Sequence, residues 1–229
     1  MKTHVTTKTK QTPLEFHNRI VDIVIHEAKP MGLHLQPVAQ WFLWLAASLL
    51  VMAFFWMHIG IQANVSQVMR QMPPLFFILT AFAGASLAAW EAIASSIPGR
   101  QTSKFYRLLA VLVLIALISI PFIFFVHPSS LDFGKALLNG TGCAEGAAFS
   151  GLIPWIFMGW MLSRNASFHP WWTGLWSGVS AFLMGTIAIQ IHCPSWDMDH
   201  VLMAHLLPAA VGTIFASLLG AFWFSRWKK

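Results

Sequence analysis

Charge is the scarcest thing in this chain: of 229 residues only 10% are Asp, Glu, Lys or Arg, and just eight are acidic. A soluble domain carries about a quarter charged residues, so a water-facing surface along the whole chain is excluded. Cysteine is nearly as rare, with two residues, Cys143 and Cys193. That rules out a disulfide-dense scaffold and any Cys-x-x-Cys motif, which disfavours a quinone-coupled thiol oxidase. No phosphate-cradling glycine loop, no Gly-x-Ser-x-Gly and no His-Glu-x-x-His occurs. The common nucleotide-binding, hydrolase and metalloprotease constellations are therefore missing, and the chain reads as a non-enzyme. The net charge of +6 is spread between apolar runs rather than gathered in a basic patch, so no direct nucleic-acid partner is expected.

What is present is apolar. Hydrophobic residues make up 57% of the chain, with twelve Trp and nineteen Phe, and the mean hydropathy is +0.64; together these describe a polytopic, all-α membrane protein whose outer faces meet lipid. At about 1.5 Å per residue, roughly 20 apolar residues cross a ~30 Å hydrocarbon layer. Six runs qualify as a six-transmembrane-helix bundle, at about 38–58, 75–97, 108–126, 147–162, 171–191 and 201–224. Met72-Pro73-Pro74 announces the second, which carries a small-residue row at Gly84, Ala88 and Ala92 of the kind that lets helices approach closely. Pro154 is a candidate kink in the fourth. Glu91 is the one acidic residue well inside a span; such a carboxylate is by default functional, with a helix-packing contact as the alternative.

Six spans leave both termini on one side, and the basic residues choose which. With the N-terminus cytoplasmic, only Arg70 and Lys135 of the fourteen Lys and Arg fall outside, as the positive-inside rule demands. The organisation expected is a cytoplasmic segment 1–37, the six-span domain 38–225 and a short cytoplasmic tail 226–229. No cleaved signal is expected, because the first apolar run begins too late. Within the leading segment, Thr12-Pro13-Leu14-Glu15 has the form of a capping box with Pro at the first helical position. Ile20, Val21, Val24, Ile25 and Ala28 then recur at helical spacing, predicting an amphipathic helix from about Pro13 to Ala28. Its apolar face can dock on the membrane, on the protein's own loops or on a soluble partner.

Polar chemistry is concentrated between Gln190 and Pro208, where His192, Cys193, Asp197, Asp199, His200 and His205 fall close together. The topology puts this stretch and Cys143 on the same extracytoplasmic face, where disulfides persist. Three readings stay open for the cysteines: a structural disulfide, a reversible thiol switch, or a thiophilic metal such as zinc or cadmium held by Cys143, Cys193, Asp197 and His200. Cys193, Asp197 and His200 stand four and three apart and would share a face of a helical turn, with Cys143 or His192 completing the set. His205, five residues beyond His200, is expected on another side, as a polar packing residue linked to the backbone opening at Pro208. Asp197 and Asp199 read as helix-capping anions.

In this order, a cytoplasmic helix, Pro98-Gly99-Arg100 after the second span, one cysteine in each of two periplasmic loops and the His200 to Pro208 stretch opening the last span, the chain resembles the NrsF family, six-span integral membrane anti-sigma factors (negative regulators of sigma F). The resemblance covers most of the chain. It implies a bacterial inner-membrane protein that holds an extracytoplasmic-function sigma factor inactive and releases it on periplasmic stress, with Cys143 and Cys193 as the sensor. The sigma-binding residues would then be Leu14, Ile20, Val21, Val24 and Ile25, sharing the contact with the basic loop from Arg100 to Arg107. The alternatives are a small transporter or metal exporter using Glu91 and His205, and a membrane thiol oxidoreductase.

Overall fold

The computed structural model describes residues 35–97, 100, 103–124, 132–165, 167 and 169–224. The amphipathic segment with Leu14, Ile20, Val21, Val24 and Ile25 lies outside them, as do Pro98, Gly99 and the tail 226–229. Among the described residues every regular element is helical, and from Gln36 onward they form one compact unit. In chain order the helices are α1 Pro37–Ile59, α2 Val65–Val68, α3 Met72–Ser95, α4 Lys104–Phe124, α5 Phe133–Asn139, α6 Thr141–Leu162, α7 Pro170–His192 and α8 Met198–His200. A π-helical segment, Val201–Leu206, then leads into α9, Leu207–Trp223. Proline opens α1, α3 and α7 in the first turn, where its missing N–H is no loss and its fixed φ suits the helix. Gly60, at φ +84°, stops α1, a backbone conformation that side chains with a Cβ rarely adopt.

The bundle is built around α7, the most buried of its long helices. Lipid supplies no hydrophobic drive between helices, so close backbone approach and side-chain interdigitation must hold them. Small residues make that approach possible. A Cβ added to Gly174 would stand 2.6 Å from the carbonyl oxygen of Ala216 in α9, and one on Gly151 of α6 would stand 3.0 Å from the Cα of Phe182 in α7. On another side α7 meets α3, whose Ala81, Ala85, Ala88 and Ala92 are fully buried; the small-residue row expected there faces the core. The outward faces are apolar: Leu50, Met57, Ile123 and Leu218 are all more than two-thirds exposed.

Among the described residues five segments are long and apolar enough to cross a membrane: α1, α3, α4, α7 and the run Met198–Trp223. They coincide with five of the six expected spans. The fourth expected span falls in α6, which is as long but outside that set. Its helix starts earlier than 147, and the added turns bring Thr141, Gly142, Glu145 and Gly146, which dilute its apolar character. Two local differences matter for the site. Cys143, expected in a loop, sits in the first turn of α6, and the opening of the last span is a π-helix.

Candidate functional site

Polar side chains gather at the two ends of α7, a 23-residue helix and therefore about 34 Å long. At its N-terminal end Glu91 of α3 is almost fully buried and accepts from Arg107 Nε of α4 at 3.2 Å and from Trp172 Nε1 of α7 at 3.3 Å. The Arg107 guanidinium also lies 5.6 Å from the centroid of the Trp172 ring. Beside this group Asn165 Nδ2 donates to Ser96 Oγ at 2.7 Å and to Gln40 Oε1 at 3.3 Å, while the Thr173 hydroxyl pairs with those of Ser95 and Ser167. Glu91 is thus a junction of three helices.

The other end carries the cysteines. α7 ends at His192, and Cys193 follows in extended backbone, as expected for a residue preceding proline. Cys143 reaches it from the first turn of α6. That approach needs Gly140, where a Cβ would stand 2.6 Å from the Cβ of Ala204 in the π segment. The two Sγ atoms are 3.4 Å apart and both thiols are free, beyond the ~2.05 Å of a disulfide but within reach of one. His200 Nε2 lies 3.1 Å from Cys193 Sγ. His205 joins them: its ring centroid is 5.2 Å from that of His200, and the candidate ligand atoms of Cys143, Cys193, His200 and His205 all lie within 4.8 Å of one another.

This grouping corrects two expectations. Five residues on an α-helix turn about 500°, which would leave His205 roughly 140° away from His200. The π segment Val201–Leu206 winds wider, with i→i+5 bonding, so residue 205 comes round beneath residue 200. Its cause is next door: Pro208 has no N–H to give and its ring pushes on the carbonyl of Ala204. Thr186 Oγ1 of α7 donates to the carbonyl of His205 at 3.1 Å and fixes the segment to the hub helix. Asp197, by contrast, is not in the group. Its carboxylate accepts from Ser195 Oγ at 2.9 Å, so it points along the loop and makes no helix cap. Asp199 Oδ1 accepts the His200 N–H at 2.9 Å. His192 turns away too, its Nδ1 3.1 Å from the carbonyl oxygen of Gly60.

Cys143 and Cys193 both lie outside the expected spans, and their thiols are driven apart in acidity. The Cys193 thiol beside it, then the imidazoles of His200 and His205, hold Cys143 well below the ordinary thiol range, against the opposing effect of burial. Cys193 is pushed up, first by its bond to Cys143 and then by burial. Of the two, Cys143 is the sulfur held towards its thiolate and Cys193 the one held as a thiol. A thiolate of this kind is a nucleophile towards disulfides and oxidants and a ligand for soft metals. Buried beside it, His205 makes no hydrogen bond of regular geometry through either ring nitrogen, the Cys143 sulfur being its polar neighbour, and Gln190 Oε1 also lacks a partner.

A family model described as negative regulator of sigma F matches residues 26–227, nearly the whole chain. No curated protein and no solved structure matches it.

Proposed function

We propose that this chain, which belongs to the NrsF family of negative regulators of sigma F, is a membrane anti-sigma factor whose cysteine pair receives the signal. In this reading residues 147–162 of α6 make the sixth crossing, both termini are cytoplasmic, and the protein resides in a bacterial inner membrane. The charge asymmetry supports that orientation: with it, the Glu91 end of α7 faces the cytoplasm, among most of the basic residues, and Cys143 and Cys193 face the periplasm. The amphipathic segment carrying Leu14, Ile20, Val21, Val24 and Ile25, together with Arg100 and with Lys104 at the start of α4, holds an extracytoplasmic-function sigma factor against the membrane.

The observation that carries the sensing role is the 3.4 Å approach of two free thiols from different helices. Oxidation draws the sulfurs together, the two thiols losing two protons and two electrons to an external oxidant; capture of a thiophilic metal sets a different separation. Either event moves the start of α6 relative to the loop that leads into the last span. Regulation follows if the two arrangements differ in affinity for the sigma factor, since a signal shifts the equilibrium only by its differential binding. A transport role is less well supported, because Glu91 is engaged by Arg107 and Trp172 and His205 belongs to the cysteine group.

Co-purification of the sigma factor with wild type and with the Cys143→Ser/Cys193→Ser double variant, before and after oxidant or metal stress, tests the proposal. Wild type should release the sigma factor on stress and the double variant should retain it. Release indifferent to both cysteines refutes the sensing role, and sigma binding that survives deletion of residues 1–30 refutes the assignment of the N-terminal segment.

A further inference from the structure

We propose that Cys143, Cys193, His200 and His205 form a four-coordinate S2N2 site for a borderline-soft divalent cation of the zinc type. The inference rests on the reading of the cysteine pair as the signal-receiving site and names the ligand that this pair takes. Its donor set, two sulfurs and two imidazole nitrogens, suits tetrahedral zinc and does not suit magnesium or calcium, which require oxygen. The spacing fits as well. Zn–S bonds of about 2.3 Å and Zn–N bonds of about 2.0 Å at tetrahedral angles separate the ligand atoms by about 3.3–3.8 Å. Here the sulfurs stand 3.4 Å apart, Cys193 Sγ and His200 Nε2 3.1 Å apart, and no pair among the four exceeds 4.8 Å. Small movements of side chains, not of helices, close that shell.

Two further observations point to a cation rather than a packing cluster. His205 is fully buried, and neither of its ring nitrogens makes a hydrogen bond of regular geometry, the Cys143 sulfur being its polar neighbour; a buried ring so poorly paired carries a desolvation penalty. A metal bond to one nitrogen removes that penalty. Charge balance is the second: two thiolates and two neutral imidazoles around a divalent cation sum to zero, which allows the site to sit where Cys193 is 1% exposed and His205 is 0% exposed. Three ligands come from the stretch after α7 and one from α6, so the cation ties α6 to the π segment, the linkage that the proposed signal must alter.

Metal-stripped, reduced full-length protein in detergent is titrated with Zn2+ and, separately, with Co2+. Wild type is expected to take up one zinc per chain and, with Co2+, to show the strong visible bands of a tetrahedral centre with thiolate-to-metal charge transfer. Cys143→Ser and His205→Gln should each weaken binding by about 100-fold or more, while Asp197→Asn and His192→Gln leave it unchanged. Helix content and a single symmetric elution peak confirm that each variant is folded; should His205→Gln not be, the less buried Cys143→Ser decides alone. No zinc uptake by wild type, or equal uptake by folded Cys143→Ser, overturns the proposal. Sigma release measured on the same variants separates the two ideas. Cysteine-dependent release without metal binding removes the metal site and keeps the sensor, and metal binding with cysteine-independent release does the reverse.

Discussion

The two ends of α7 are polar in different ways. At the Glu91 end the charged and hydroxyl groups satisfy one another, leaving indole N–H groups such as that of Trp176 unpaired one turn away: Glu91 has Arg107 and Trp172, Asn165 has Ser96 and Gln40, and Thr173 has Ser95 and Ser167. At the cysteine end the sulfurs crowd together while His205 makes no hydrogen bond of regular geometry and Gln190 Oε1 finds no partner. A network with its bonds made has nothing to exchange and fixes how α1, α3, α4 and α7 meet. A cluster with open valences can be closed by something else, such as a bond, a cation or an oxidant. The contrast assigns rigidity to one end and responsiveness to the other.

The largest effect expected of this contrast is covalent. If the cysteine end is poised to close, mild oxidation should form the Cys143–Cys193 disulfide, and closing a loop with the 50-residue separation of these cysteines stabilises by about 4 kcal/mol in the chain-entropy model. Unfolding of oxidised against reduced protein in mixed micelles measures it; equal stability would mean that closure strains the bundle as much as it constrains the chain. The next effect breaks the other end. Arg107→Met leaves Glu91 buried without its cation, a change that costs about 3–5 kcal/mol in a dry site. The Arg107 side chain is 43% exposed, so water reduces the expectation to about 2 kcal/mol. Adding Glu91→Gln should recover most of that loss, and strict additivity would show the two side chains to be uncoupled.

A smaller effect tests how the cysteine end is assembled. If Pro208 sustains the π segment, Pro208→Ala should let Val201–Leu206 relax towards α-helix and swing His200 away from His205. Co2+ affinity should then fall by about tenfold. Deleting Met203 in that background leaves the histidines four apart, on one face of an α-helix, and should restore binding. An unchanged affinity in Pro208→Ala would place the cause of the π segment elsewhere, with the Thr186 bond to the His205 carbonyl as the next candidate.

The same residues show what could be read from the chain alone. The apolar runs were legible because a lipid-facing helix must be long and uncharged, and five of the six expected runs reappear as helices able to cross a membrane. The pairing of Cys143 with Cys193 was legible from topology, since two odd loops of an even-spanned bundle share a face. His205 was not, because regular helical geometry turns residue 205 away from residue 200, and only a change of winding brings it back. Pro208 was the available signal, since a proline one turn beyond a polar residue marks a disturbed backbone. Asp197 stands apart from the group for the complementary reason: its spacing from Cys193 and His200 brings it alongside them only if that stretch is helical, and Cys193 to Asp197 is loop. The role of Glu91 as a junction needed the fold, since Arg107 and Trp172 lie on other helices.

The smallest effect expected is a rate that hardly changes, and it bears on how the cysteine end is wired. An ordinary thiol, with a pKa near 8.5, loses thiolate as pH falls, so its alkylation slows by roughly 80-fold between pH 8 and pH 6. Cys143 is held well below that range by Cys193 and the two histidines. Its thiolate should therefore persist across the same window, and in metal-free protein its alkylation should vary by less than about twofold. Cys193, buried and shifted upward, should stay unmodified until Cys143 has reacted. Substituting Cys193→Ala removes the hydrogen-bond donor that contributes most to the shift, so the Cys143 profile should steepen towards the ordinary one, and less so in His200→Gln. A steep profile in the wild-type chain would mean that Cys193 and the two histidines do not hold the Cys143 thiol down, and the cysteine end would then be as inert as the Glu91 end.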